Sequence, residues 1–171
     1  MNAPLHRHLL TLEPLDDAAA RALLAAARSL RQAVGDAAPL RGKNIALMCG
    51  NTGGDRAAGD AVRLFAEAAA GLGARVARIE PAPAWLRGES QPGADTARLL
   101  QNLYDAVDCE ALPAGFAARL QSLLEVPVYD SLAREDHPMF ELLAALVPPG
   151  RAPAADDRRV LVQAALVSTL L

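Results

Sequence analysis

Two places in this sequence have residue types and spacing that could do chemistry: the dipeptide His137-Pro138, and the stretch Gly50-Asn51-Thr52-Gly53-Gly54-Asp55-Arg56-Ala57-Ala58-Gly59-Asp60. A histidine can polarise a carbonyl or move a proton near neutral pH. The plainer reading is that His137 caps or braces a helix that begins at Pro138, since proline suits a first helical turn. The stretch from residue 50 follows directly on an apolar run. Its glycines would let bare backbone N–H groups approach an anion closely, and Arg56 would add a guanidinium. Gly50, Asn51, Thr52, Gly53, Gly54, Arg56 and His137 therefore form the candidate ligand-binding set, with His137 the one catalytic candidate. The competing reading of the loop is a flexible turn, because it fits neither the phosphate-loop nor the dinucleotide fingerprint.

Acids stand beside these groups. Asp55 and Asp60 lie in the glycine-rich stretch, and Asp108 and Glu110 follow a later apolar run. A carboxylate in a partly desolvated site would repel a dianion by roughly 1 kcal/mol or more. No Ser-His-Asp set, purposeful carboxylate pair or metal cluster is evident, and no cofactor is called for. Cys49 and Cys109 each end an apolar run with no second Cys or His at metal spacing, which predicts reduced, partly buried thiols. His6 and His8 have the ordinary reading of a frayed terminus. Asp156-Asp157 ahead of Arg158-Arg159 reads as a helix N-cap followed by solvated residues.

The elements that would position these groups alternate. Leu23, Leu24, Ala27, Leu30 and Val34 recur at helical spacing, with Asp16 or Asp17 to start the helix and Gly35 to end it. Residues 44–49 are too short an apolar run for a helix and read as a buried strand. Val62, Phe65, Ala69 and Leu72 form the next helical stripe, and a second strand spans 75–79. A helix over 96–103, a strand over 106–109, a helix over 114–124 and a strand over 126–129 follow, then a helix from Pro138. This alternation predicts a single three-layer α/β domain with a four-stranded parallel sheet covered on both faces. Residues 147–157 read as a linker, and 158–171 as an apolar helix that must be buried against something.

Bulk properties bound the partners. The 171 residues suffice for one domain with a real core, and 52% hydrophobic against 4% aromatic residues means a core of Ala, Leu and Val. A net charge of −3 leaves no positive excess for nucleic acid or an anionic membrane. No apolar run approaches the roughly 20 residues of a membrane span, and the first dozen residues lack a signal peptide's apolar stretch. The cytoplasm is the expected location.

Several segments in order resemble the aspartate and ornithine carbamoyltransferases. They are Leu9 to Asp16, Leu40-Arg41-Gly42-Lys43-Asn44-Ile45-Ala46-Leu47-Met48, Arg87 to Ser90, Asp95 to Leu100, Tyr104 to Val107, Val126 to Leu132, and His137-Pro138. Residues 158–166 resemble the family's C-terminal helix, which returns to pack on the first domain. The resemblance implies a carbamoyl-phosphate domain in which the linker 147–157 takes the place of a whole amino-acid-binding domain. It also implies a homotrimer, and it matches Arg87 and Ser90 to a loop that reaches a neighbouring subunit's site.

Carbamoyl transfer needs donors where charge develops on the phosphate and carbonyl. The family takes them largely from a Ser-Thr-Arg-Thr-Arg motif at a helix N-terminus. The equivalent stretch here is longer and holds one arginine, acids stand at 108–110 where the family carries an arginine, and Phe140 occupies a glutamine position. The expectation is a catalytically silent module for binding or assembly, with a full-length carbamoyltransferase as a candidate partner. The alternatives are an active or sensing protein that binds carbamoyl phosphate or another small anion through residues 50–60, or a domain whose other half is a separate chain.

Overall fold

Four short runs of small and β-branched residues pair as parallel strands: β1 (Asn44–Cys49), β2 (Arg75–Ile79), β3 (Ala106–Glu110) and β4 (Val128–Asp130). The computed structural model of the chain describes residues 14–33, 38–50, 54–87, 89–90 and 92–171. In the sheet the strand order is β2-β1-β3-β4. Leu47 is in register with Arg78 on one side and Asp108 on the other, and Asp108 with Tyr129. Asp105 stitches the entry of β1 to that of β3, accepting from Asn44 N–H at 2.8 Å and Lys43 Nζ at 3.0 Å. Those two donors outweigh the effect of burial and hold its carboxyl below the usual range.

Helices cover both faces. They are α1 (Asp17–Gln32), α2 (Arg56–Gly71), α3 (Pro83–Leu86), α4 (Ala94–Leu103), α5 (Phe116–Gln121), α6 (Leu143–Leu146) and α7 (Ala155–Leu170), with a 3-10 turn at Pro138–Leu142 ahead of α6. Side chains of a strand alternate between faces, so the sheet sends Ile45, Leu47, Ala106 and Tyr129 into one layer and Ala46, Met48, Val107 and Cys109 into the other. The first layer packs on α1, α2 and α7, and the second on α4 and α5. Cys49 and Cys109 are free and lie on opposite faces, which rules out a bridge between them.

The fold is the predicted three-layer α/β arrangement, with local differences. Asp16 caps α1 by accepting from Ala19 N–H at 2.7 Å, while Val34 and Gly35, like Leu9 to Glu13, lie outside the described residues. The helix expected over 114–124 is confined to α5, because Gly115 at φ 76° enters it from the left-handed region. The helix expected from Pro138 winds first as a 3-10 turn. The short α3 has no counterpart in the sequence reading.

The last helix lies against α1 and α2 and buries Leu161, Val162, Ala164, Ala165 and Leu166. Near its end the buried Thr169 Oγ1 bonds Tyr129 Oη and donates to Ala165 O at 2.9 Å. Asp157, read with Asp156 as the N-cap of this helix, stands at its third position, and Ala154 is the N-cap. Asp157 is 4% exposed, contacts Arg31 of α1, accepts from Arg151 Nη2 at 2.8 Å, and takes the Ala154 N–H at 2.8 Å. The Arg151 bond chiefly holds its carboxyl below the usual range, so its contribution exists above the unfolded pKa and is lost as pH falls. Asp157→Ala should cost about 2 kcal/mol, since it strands two guanidiniums and one backbone donor. An unchanged urea midpoint would show the clamp to be idle.

Candidate functional site

In a parallel sheet whose order reverses between β1 and β3, the crevice outside their carboxyl ends is where ligands bind. Gly50 leaves β1 there, and its N–H donates to Glu110 O at 3.3 Å. A Cβ at Gly50 would sit 2.9 Å from Ala111 O and 3.4 Å from Leu86 Cδ2, so only glycine permits this approach. Gly54 has φ +91°, and the chain enters α2 at Arg56. Asn51, Thr52 and Gly53 lie outside the described residues. Asp55 is the N-cap of α2: its Oδ1 accepts from Ala57 N–H at 2.9 Å and Ala58 N–H at 3.2 Å. Two of the donors that a helix N-terminus would offer an anion are thus already engaged by a carboxylate of the chain itself. Arg56 is exposed, and Asp60 is paired to Arg63 at 2.9 Å.

The floor at the end of β3 is acidic. Asp108 and Glu110, two residues apart and therefore on one face, are both buried on the side of Leu47 and Cys49. Asp108 Oδ1 accepts from Leu132 N–H at 3.2 Å, and Glu110 Oε1 from Ala133 N–H at 3.4 Å. Asp108 Oδ2 has no partner among the described residues. Burial, followed by the charge of Glu110, pushes the Asp108 carboxyl well above its ordinary range. Burial likewise pushes Glu110 up to about 7, against the pull of the Ala133 N–H and Arg134. Two buried carboxyls this close do not both ionise readily.

The segment they hold is tightly bent. Ser131 has φ 57° and Ala111, on the facing turn, φ 53°, both in the left-handed region. Ala111 is exposed and holds a left-handed backbone that glycine adopts without strain, so Ala111→Gly should raise stability by about 0.5–1 kcal/mol. A lower melting temperature in that variant would show that the alanine side chain is engaged.

His137 caps the 3-10 turn. Its Nδ1 accepts from Met139 N–H at 3.3 Å, which leaves the proton on Nε2. That Nε2 is buried and has no partner among the described residues. Burial, then the charge of Arg134, lowers the His137 pKa to about 4, so the ring is neutral at pH 7 and can offer a hydrogen bond without a charge. Phe140 is not vacant space either: the Arg158 guanidinium lies 4.4 Å from its ring centroid. Arg87 and Ser90 are exposed, and Arg87 is engaged twice by Glu89, at 2.6 and 2.8 Å.

The crevice therefore gathers Gly50, the start of α2 and the acids of β3 at the carboxyl edge of the sheet, with His137 fixed on the segment that leaves β4. The sequence reading took Asp55 as a repelling acid, whereas it is foremost a cap; its place directly before a helical stripe was the available signal. Nothing local marked Arg31, Asp157 and Arg151 as partners, because they are far apart along the chain. Among the described residues no group of three His, Cys, Asp or Glu side chains could hold a metal, and no helix is long and apolar enough to cross a membrane.

The fold defines an α/β domain built on a four-stranded parallel sheet, with a crevice at the carboxyl edge of its strands. No family model matches the chain. Its sequence is similar to an ornithine carbamoyltransferase of Actinobacillus pleuropneumoniae serotype 5b, 32% identical over 136 residues, which is 78% of this chain and 39% of that protein. A catabolic ornithine carbamoyltransferase of Haemophilus influenzae is 31% identical over the same length. One of Cutibacterium acnes is 31% identical over 144 residues, 82% of this chain and 41% of the relative. The chain is thus a homologue of the ornithine carbamoyltransferases and fits a partial carbamoyltransferase domain, spanning about two fifths of the length of the curated relatives it matches.

Proposed function

We infer that this carbamoyltransferase-like domain does not carry out carbamoyl transfer and acts as a binding or assembly module in amino-acid metabolism. The observation that carries the reading is the Asp55 carboxylate seated on the first N–H groups of α2, where an anionic donor would need them free. Asp108 and Glu110 place buried carboxyls rather than cationic groups at the crevice floor, and the described arginine nearest the glycine-rich loop in sequence, Arg56, is exposed. Its partner would be a second copy, as in a homotrimer, or a full-length carbamoyltransferase of arginine or pyrimidine metabolism. The two unbridged thiols suit a reducing cytoplasm.

One observation favours a second reading, in which residues 50–60 bind carbamoyl phosphate or a related small anion for catalysis or sensing. The buried Nε2–H of His137 lacks an acceptor among the described residues, and a ligand carbonyl would supply one. Calorimetric titration of carbamoyl phosphate separates the two. The silent-module reading expects no saturable heat into the millimolar range and no carbamoyl transfer to ornithine or aspartate. Saturable heat that vanishes in Arg56→Ala, an exposed substitution that leaves the fold intact, overturns it. Light scattering of the chain alone and mixed with a full-length ornithine carbamoyltransferase reads out the assembly role.

A further inference from the structure

Three consecutive backbone N–H groups just after β4 are held by the end of β3. Ser131 N–H donates to Cys109 O at 3.0 Å, Leu132 N–H to Asp108 Oδ1 at 3.2 Å, and Ala133 N–H to Glu110 Oε1 at 3.4 Å. The next residue is Arg134, whose half-exposed guanidinium donates from Nε to the exposed Asp136. The charge of Arg134 also acts on Glu110, Asp130 and His137, so the guanidinium is close to the crevice floor while tied to the surface. Around Glu110 stand further titratable groups: Asp108 and Cys109 on its own strand, Cys49 at the end of β1 with Arg78 of β2 beyond it, and Asp130 of β4. The helices packed on this face have their guanidiniums engaged elsewhere, Arg158 of α7 by Glu135 at 3.6 Å and Arg63 of α2 by Asp60 at 2.9 Å. Arg134 is the cation that pulls hardest on Glu110.

While protonated, Glu110 makes no demand on a cation, and Arg134 keeps its surface partner. Once ionised, it is a buried charge beside a second carboxyl, which costs far more than an exposed ion pair returns. The bond to Ala133 N–H fixes the Glu110 carboxyl one residue from Arg134, whose side chain is long and half in solvent. We propose that Arg134 is a movable counter-ion: it holds Asp136 while the Asp108 and Glu110 pair keeps its proton, and it crosses to Glu110 when that proton leaves. Burial places the exchange near neutral pH, since it pushes Glu110 up to about 7. Loss of the proton brings a guanidinium to the crevice floor, and rebinding of the proton returns it to the surface. Only the chain's own residues take part, so the device stands or falls separately from the silent-module reading.

The test is a pH titration of the full chain from pH 5 to pH 9 by NMR, with the Glu110 side-chain carboxyl carbon as the reporter of its proton. Its midpoint should fall near 7. Above that midpoint, NOEs between the Arg134 Hδ and Glu110 Hγ protons should appear, and those between Arg134 and the Asp136 Hβ protons should fade. In Glu110→Gln, Arg134 should stay on Asp136 across the whole range. Asp136→Asn, an exposed change that leaves the fold intact, frees Arg134 in advance and should lower the Glu110 midpoint by roughly a few tenths of a pH unit. Arg134 NOEs that do not change while Glu110 titrates overturn the proposal, as does a change that persists in Glu110→Gln, or a Glu110 midpoint unmoved in Asp136→Asn.

Discussion

A Glu110→Gln variant is expected to be more stable than the parent chain at pH 8 by on the order of 3 kcal/mol, and indistinguishable from it at pH 4. The carboxyl is held up to about 7 in the folded chain, against an ordinary value of 4.5, because it is buried at the end of β3. A group whose pKa rises on folding contributes its full stability below the unfolded value, and that stability is lost as pH rises through the folded value. Here the window runs from about 4.5 to about 7. Glutamine resembles the neutral acid in shape and can keep an acceptor for the Ala133 N–H, but it has no proton to lose. Carboxylates remote from this pair, such as Asp157, work in the opposite direction, yet they are common to both proteins and cancel in the difference, while Asp108 loses a charged neighbour in the variant. Urea unfolding of the two chains at pH 4, 6 and 8 gives the result. Parallel curves across that range would mean that Glu110 ionises freely and that the acidic floor is an ordinary wet surface.

The second large effect concerns α7. Leu161 has no solvent exposure and packs in the layer that also holds Leu23 of α1 and Phe65 of α2. Leu161→Ala should cost about 3 kcal/mol, the lost transfer of the side chain plus the cavity left where three elements meet. For a chain of this size that corresponds to a fall in melting temperature of roughly 6–12 °C. Arg159→Ala, two residues away and partly exposed, should stay within about 0.5 kcal/mol of the parent. If Leu161→Ala melts with the parent, α7 is a detachable tail rather than part of the domain.

Much of the fold was legible because it depends on local pattern. β1 and β2 begin and end at the residues the sequence indicated, since short runs set off by glycine or proline have few other solutions. Asp16 was readable as a cap for the same reason. The boundaries of α5 and of the 3-10 turn were not, as they depend on one glycine adopting a left-handed conformation and on how the segment after β4 is tied to β3. The site was legible in part. The acids at 108 and 110 and the isolated Arg56 were visible as residue types, and their effect on a dianion follows from Coulomb's law alone.

By itself the sequence determined the alternation of strands and helices, the reversal of charge near the crevice and the kinship with carbamoyltransferases, because each is written in neighbouring residues. Only the tertiary structure decided what those charges do. It seated Asp55 on α2, buried Asp108 and Glu110 until one of them shifts to neutral pH, joined Arg31 to Asp157 across 126 positions, and left Arg158 Nε and His137 Nε2 without acceptors among the described residues. Burial and partnership are properties of groups brought together from distant parts of the chain, and they set how far a charge is desolvated and what answers it.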